Sequence, residues 1–128
     1  MALASCEVTA YPENLTKKQV YTFEARATDW VANVDRDGLN LYYSCHFNLT
    51  NLHPETTLDR CAVVSYINLG DYEQVLPITR HYENSLGQLW TRTIDFDYSL
   101  SDVNFYVTNS DFAVGRPETM YFRVMFIW

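Results

Sequence analysis

Apolar side chains recur at every second position over most of this chain, and that period constrains the fold more than any other feature. It is clearest from Met120 onward, where Met120, Phe122, Val124, Phe126 and Trp128 occupy alternate positions. Successive side chains of a strand point to opposite faces, so a period of two encodes a strand with one face against a core. The same pattern sets Leu39, Leu41, Tyr43, Cys45, Phe47 and Leu49 opposite Asn40, Tyr42, Ser44, His46 and Asn48. It sets Trp90, Ile94, Phe96 and Tyr98 opposite Thr91, Thr93, Asp95 and Asp97, with Arg92 intruding on the apolar side. Val103, Phe105 and Val107 alternate with Asn104, Tyr106 and Thr108, and Tyr21, Phe23 and Ala25 with Thr22, Glu24 and Arg26. Residues 61–68 and 74–82 are two further extended candidates. Pro77 cannot donate to a ladder, so the second is expected at a sheet edge or with a bulge.

All four glycines fall between these runs. Gly38, closing Asp35-Arg36-Asp37-Gly38, can supply the positive φ that a tight hairpin needs. Short strands separated by turn signals predict an all-β, two-layer antiparallel sandwich of about seven strands in Greek-key-like order. An aromatic content of 16% suits half-buried pleated surfaces, and no stretch is rich enough in helix formers for a long helix. Residues 48–60 lack alternation and read as a long crossover with room for one helical turn. The expected core is Phe23, Trp30, Leu41, Tyr43, Cys45, Phe47, Val63, Trp90, Ile94, Phe96, Phe105, Val107, Phe122, Val124 and Phe126. A chain of 128 residues, 48% of them hydrophobic, suffices for one such domain, expected over 19–128 behind a tether at 1–18.

Sixteen Asp and Glu against nine Lys and Arg leave a net charge of −7. Phosphate backbones repel such a surface, which argues against nucleic acid as a partner. No apolar run reaches the roughly 20 residues that span a bilayer. Residues 3–6, Leu3-Ala4-Ser5-Cys6, resemble the lipobox of bacterial lipoproteins, in which small residues precede a cysteine that becomes the lipidated N-terminus. Only Met1 and Ala2 precede the match, without the basic and apolar regions of a signal peptide. The expectation is a chain that starts part-way through its signal, acylated at Cys6 and meeting the membrane through that lipid alone. The other reading is a chance match. With Cys6 lipidated, Cys45 and Cys61 form an even pair in an exported protein, either bridged or present as thiols. Free cysteine packs well on an apolar face such as that of Cys45, and thiols are favoured because spacing does not show the two Cα atoms within bridging range. The sequons at Asn14 and Asn48 matter only in a eukaryotic secretory pathway, which the lipobox argues against.

Further motifs are Trp30 after the first strand, Leu41-Tyr42-Tyr43, Ala62-Val63-Val64-Ser65-Tyr66, Val75-Leu76-Pro77, Asn104-Phe105-Tyr106-Val107 and Tyr121-Phe122-Arg123-Val124. Together they resemble a family of small exported Bacteroidetes lipoproteins of unknown function, over residues 21–128. The resemblance implies a β-sandwich and export, with a periplasmic or outer-membrane lipid-anchored location, and carries no assigned activity.

Little in the chain suggests a reaction. Asn33-Val34-Asp35-Arg36-Asp37-Gly38 fits the first half of a calcium loop, but Ser44 stands where the bidentate Glu belongs, so a hairpin turn is expected and no metal. His46, His53 and His81 lack ligand spacing, and no serine or cysteine sits in a nucleophile elbow. Asp95 and Asp97 share one strand face, and a solvated polar surface accounts for them better than a glycosidase pair does. Three tyrosines stand out of phase with their core series: Tyr42, Tyr106 and Tyr121, with Tyr66 as a fourth candidate. On one sheet face, bordered by Asn40, Asn104 and Thr108, they would form an aromatic platform for a neutral glycan. The function read from the sequence is a non-catalytic, cofactor-free binding or structural module at the bacterial envelope, with a protein or glycan partner. The alternatives are a neutral-glycan-binding module using those tyrosines and a hydrolase whose site the sequence does not spell.

Overall fold

The computed structural model describes residues 17–38, 40–110 and 115–128. Cys6, the sequon at Asn14, Leu39 and all but the end of the tether lie outside them. The strands are β1 (Lys18–Ala25), β2 (Val31–Val34), β3 (Leu41–Asn48), β4 (Ala62–Asn68), β5 (Glu73–Val75), β6 (Ile78–Glu83), β7 (Leu89–Tyr98), β8 (Asp102–Asn109) and β9 (Met120–Ile127). They build an all-β sandwich of two antiparallel sheets, one of four strands in the order β1-β9-β4-β5 and one of five in the order β2-β3-β8-β7-β6. The meander β6-β7-β8 with β3 returning beside β8 is the Greek-key element of the five-stranded sheet.

Alternation sets the two inner faces. Along β8, Val103, Phe105 and Val107 are each 0% exposed while their neighbours are half-buried. Phe122, Val124 and Phe126 are likewise buried on β9, between the exposed Tyr121 and the half-buried Arg123 and Met125. The sheets meet where Phe105 stacks on Phe122, centroids 3.9 Å apart and planes 9° from parallel. Beside this pair Phe23 of β1 stacks on Phe47 of β3 at 4.6 Å. Each fully buried ring of this kind stabilises the fold by about 1.5–3 kcal/mol through area alone. The first crossing between sheets is made by a 3-10 turn, Ala27–Asp29, in which the Arg26 amide donates to Asp29 Oδ2 at 2.9 Å. It delivers Trp30 into the core, where its Nε1 donates to the Glu118 carbonyl at 3.1 Å.

The structure adds to the sequence reading in four places. Among the described residues there are nine strands rather than seven. The additional β2 is an edge strand whose Val31 and Val34 are both exposed, so burial imposes no period on it. The 74–82 segment is two strands, one in each sheet: Pro77 interrupts it, with a cis Leu76–Pro77 bond. Leu76 and Ile78, on either side of that proline, are both core residues. Residues 49–61 form no helix, only hydrogen-bonded turns, in one of which the Arg60 and Cys61 amides donate to the Thr57 carbonyl at 3.1 and 3.0 Å. That crossover is instead pinned by β1, with Tyr21 Oη donating to the Thr50 carbonyl at 2.8 Å and the His53 amide to Gln19 Oε1 at 2.9 Å.

Of the expected core, Phe23, Leu41, Phe47, Val63 and Phe96 are partly exposed but pack against it, while Trp90 lies outside it. Ala25, Ile67, Val103 and Met120 complete the core. Cys45 and Cys61 are free thiols, Cys45 buried and Cys61 half-buried. Burial, helped by the Asp29 carboxylate, pushes the Cys45 thiol up to about 11. Among the described residues no helix is long and apolar enough to cross a membrane.

Candidate functional site

Two surfaces carry chemistry, and the first is the outer face of the five-stranded sheet. Ser44 faces Tyr106 across the β3–β8 ladder, which makes Tyr42 a diagonal neighbour of Tyr106. Their rings lie 6.2 Å apart and 56° from parallel, a tilted pair rather than a flat floor. From Tyr106 a hydrogen-bonded row runs across three strands. Its hydroxyl donates to Asp97 Oδ2 at 2.8 Å, and Asn104 Nδ2 donates to Asp97 Oδ1 at 2.9 Å. A carboxylate only accepts, so this bond turns the Asn104 amide and leaves its oxygen facing His46 Nδ1 at 2.8 Å. His46 Nε2 meets Asn48 Oδ1 at 3.1 Å.

Both imidazole nitrogens therefore face oxygen acceptors, and only the doubly protonated ring can donate to both. That raises the His46 pKa, through Asn104 first and Asn48 second, with the Asp102 carboxylate adding to them. The Tyr106 phenol is pushed up to about 12, by burial and then by its bond to Asp97. Asp95, directly across from Tyr106, is raised by burial and by the Asp97 charge.

Tyr121 is not part of this surface. It stands on β9, in the other sheet, so the three-tyrosine platform expected from the sequence is corrected to the pair Tyr42 and Tyr106. Alternation had placed Tyr121 correctly outside the core, and the residue is 52% exposed. Tyr66 shares the four-stranded sheet with it, and the Arg123 guanidinium covers the Tyr66 ring at 4.4 Å while pairing with Glu73. Of the expected bordering groups, Asn104 belongs to the hydrogen-bonded row and Thr108 is half-buried beside it. Asn40 instead donates to Asp35 in the β2–β3 turn. That turn is an ordinary hairpin, with the Gly38 amide donating to the Asp35 carbonyl at 2.9 Å and Gly38 at φ 73°. His53 stacks on Trp128 at 5.0 Å, and His81 is exposed on β6. Among the described residues, no three His, Cys, Asp or Glu side chains are grouped to hold a metal.

The second surface is a cleft of about 330 Å³ lined by the end of β4, the start of β9 and the β6–β7 hairpin. Ile67, Leu69, Ile78, Ile94 and Met120 are its apolar lining, and Tyr72, Tyr82 and Tyr121 its aromatic residues. Arg92, the charged intruder in the alternation of β7, lines it as well. Its side chain is 17% exposed, held by Nε to Asn109 Oδ1 at 3.1 Å and by Nη1 to Glu118 Oε1 at 3.1 Å. Sequence reasoning missed the cleft, although an arginine in phase with Ile94 and Phe96 was its signal.

Comparison of the chain with protein-family models, curated proteins and solved structures finds no match in any of the three.

Proposed function

We propose that this chain is a non-catalytic binding module of the bacterial envelope and that the β3–β8–β7 outer face recognises a neutral glycan. The observation that carries the reading is the row Tyr106–Asp97–Asn104–His46 beside the Tyr42 ring: a rigid polar edge next to an aromatic one. A sugar has the same two-sided character, with C–H groups for a ring face and hydroxyls for the amides and carboxylates at its edge. Asp95, Asp97 and Asp102 make this face acidic, which favours neutral over sulfated or uronic sugars. The catalytic alternative is disfavoured by the use already made of Asp97, whose two oxygens accept from Tyr106 and Asn104. Export and lipid anchoring through Cys6 rest on the lipobox and on the resemblance to Bacteroidetes lipoproteins.

A neutral-glycan array tests the binding. The wild-type protein should be retained on at least one glycan, and Tyr42→Ala/Tyr106→Ala should lose that retention while keeping its β-type circular dichroism. Failure to bind any neutral glycan refutes the reading, as does equal retention of the double variant. For the anchor, the gene is expressed in a lipoprotein-processing bacterium with a palmitate analogue. Label on wild type that disappears in Cys6→Ser is expected, and unlabelled wild type refutes the anchor.

A further inference from the structure

We infer that the cleft between the β6–β7 hairpin and the β4 and β9 termini binds a small amphipathic organic carboxylate. This site lies apart from the glycan face and stands or falls independently of it. The hairpin's core-facing row pairs Ile78 with Ile94, then Arg80 with Arg92, then Tyr82 with Trp90. Only the isoleucine pair is buried in the core. Past it the same face turns into a cleft wall of Arg80, Arg92 and Tyr82, whose ring is backed by Trp90 at 4.5 Å.

The arginine pair is what specifies charge. Like charges directly opposite across an antiparallel ladder destabilise it. Here Arg80 and Arg92 are direct partners, and among the described residues Glu118 is the one carboxylate lining the cleft with them. Glu118 pairs with Arg92. Arg80 bonds only the neutral Gln74 amide oxygen among the described residues. Among the described residues the cleft wall thus holds one guanidinium without a carboxylate partner, in a protein of net charge −7, and a bound carboxylate supplies that partner in bidentate geometry. The apolar lining and the aromatic residues call for a hydrocarbon or ring body behind that carboxylate. The volume of about 330 Å³ fits a small molecule rather than a chain segment.

The test uses two acids and their neutral counterparts: indole-3-acetate against indole-3-acetamide, and octanoate against octanol. Binding is followed by amide chemical shifts in the full chain. At least one acid should shift the amides of Arg80, Tyr82, Ile94 and Met120, and bind about tenfold or more tightly than its neutral partner. Arg80→Gln, an exposed change that leaves the fold intact, should erase the preference for the acid, whereas Tyr106→Phe should leave it unchanged. Equal binding of acid and neutral probe overturns the inference, and so does an unaltered preference in Arg80→Gln. So does the absence of cleft shifts with either acid up to about 10 mM, a concentration that would reveal even millimolar affinity.

Discussion

Replacing Phe105 by alanine removes the ring at the centre of the inter-sheet contact. Phe105 is 0% exposed and touches four other phenylalanines: Phe122 at 3.9 Å, Phe47 at 6.0 Å, Phe23 at 6.1 Å and Phe96 at 6.5 Å. A buried Phe→Ala change costs about 3–5 kcal/mol, counting lost transfer energy and the cavity left behind. The face-to-face pair with Phe122 adds about 0.5–1.5 kcal/mol beyond area. Strands on both sides are fixed by their ladders and cannot collapse far into the void, so Phe105→Ala should sit at about 4–5 kcal/mol. With about 2.1 cal/mol/K of unfolding entropy per residue over 128 residues, Tm should fall by about 15–19 °C. Calorimetry reads the Tm, and urea titration reads the midpoint with an unchanged slope. Phe96→Ala, at a half-buried ring of the same sheet, should cost about half as much. A loss under about 2 kcal/mol for Phe105→Ala, or an equal loss for Phe96→Ala, would refute the placement of the core.

Three further predictions follow from the polar groups. His46 should titrate above the ordinary histidine range by NMR, and Asn104→Ala should bring it down. Its folded pKa is raised, so its contribution to stability is complete below about pH 6.5 and is lost as pH rises through the folded value. Asp95→Asn should raise Tm at pH 7 and leave it nearly unchanged at pH 3. Asp95's raised pKa means that its charged form is the unfavourable one, and acid already neutralises it in both states. In a Cys6→Ser background, one thiol, Cys61, should react with a disulfide reagent in the native protein. Cys45, buried and pushed up to about 11, should react only on unfolding.

The sheets were legible because burial on one side leaves a period of two in the residues themselves, as in β8 and β9. The sequence hid what that period does not encode. Alternation separates inside from outside but does not say which of two outer faces a residue joins. That is why Tyr121 seemed to belong with Tyr42 and Tyr106 while lying on the opposite sheet. Nor does sharing a face guarantee burial: Trp90 is in phase with Ile94, but its pair with Tyr82 lies four register pairs beyond Ile78–Ile94, the last buried pair of its hairpin, and stays outside the core. β2 left no pattern because its valines are exposed. The hydrogen-bonded row on the glycan face joins β3, β7 and β8, with partners up to 58 residues apart whose pairing register only the folded sheet reveals.

The account turns on whether the Tyr42–Tyr106 face is where ligand sits. Ring-proton NMR of the wild-type protein, with tyrosines assigned by single Tyr→Phe changes and titrated with a glycan retained on the array, tests this most directly. The account predicts saturable shifts of the Tyr42 and Tyr106 rings and of the His46 ring protons, with the Tyr66 and Tyr121 rings unmoved. Shifts centred on Tyr121 and Tyr66, with Tyr42 and Tyr106 unchanged, would contradict it.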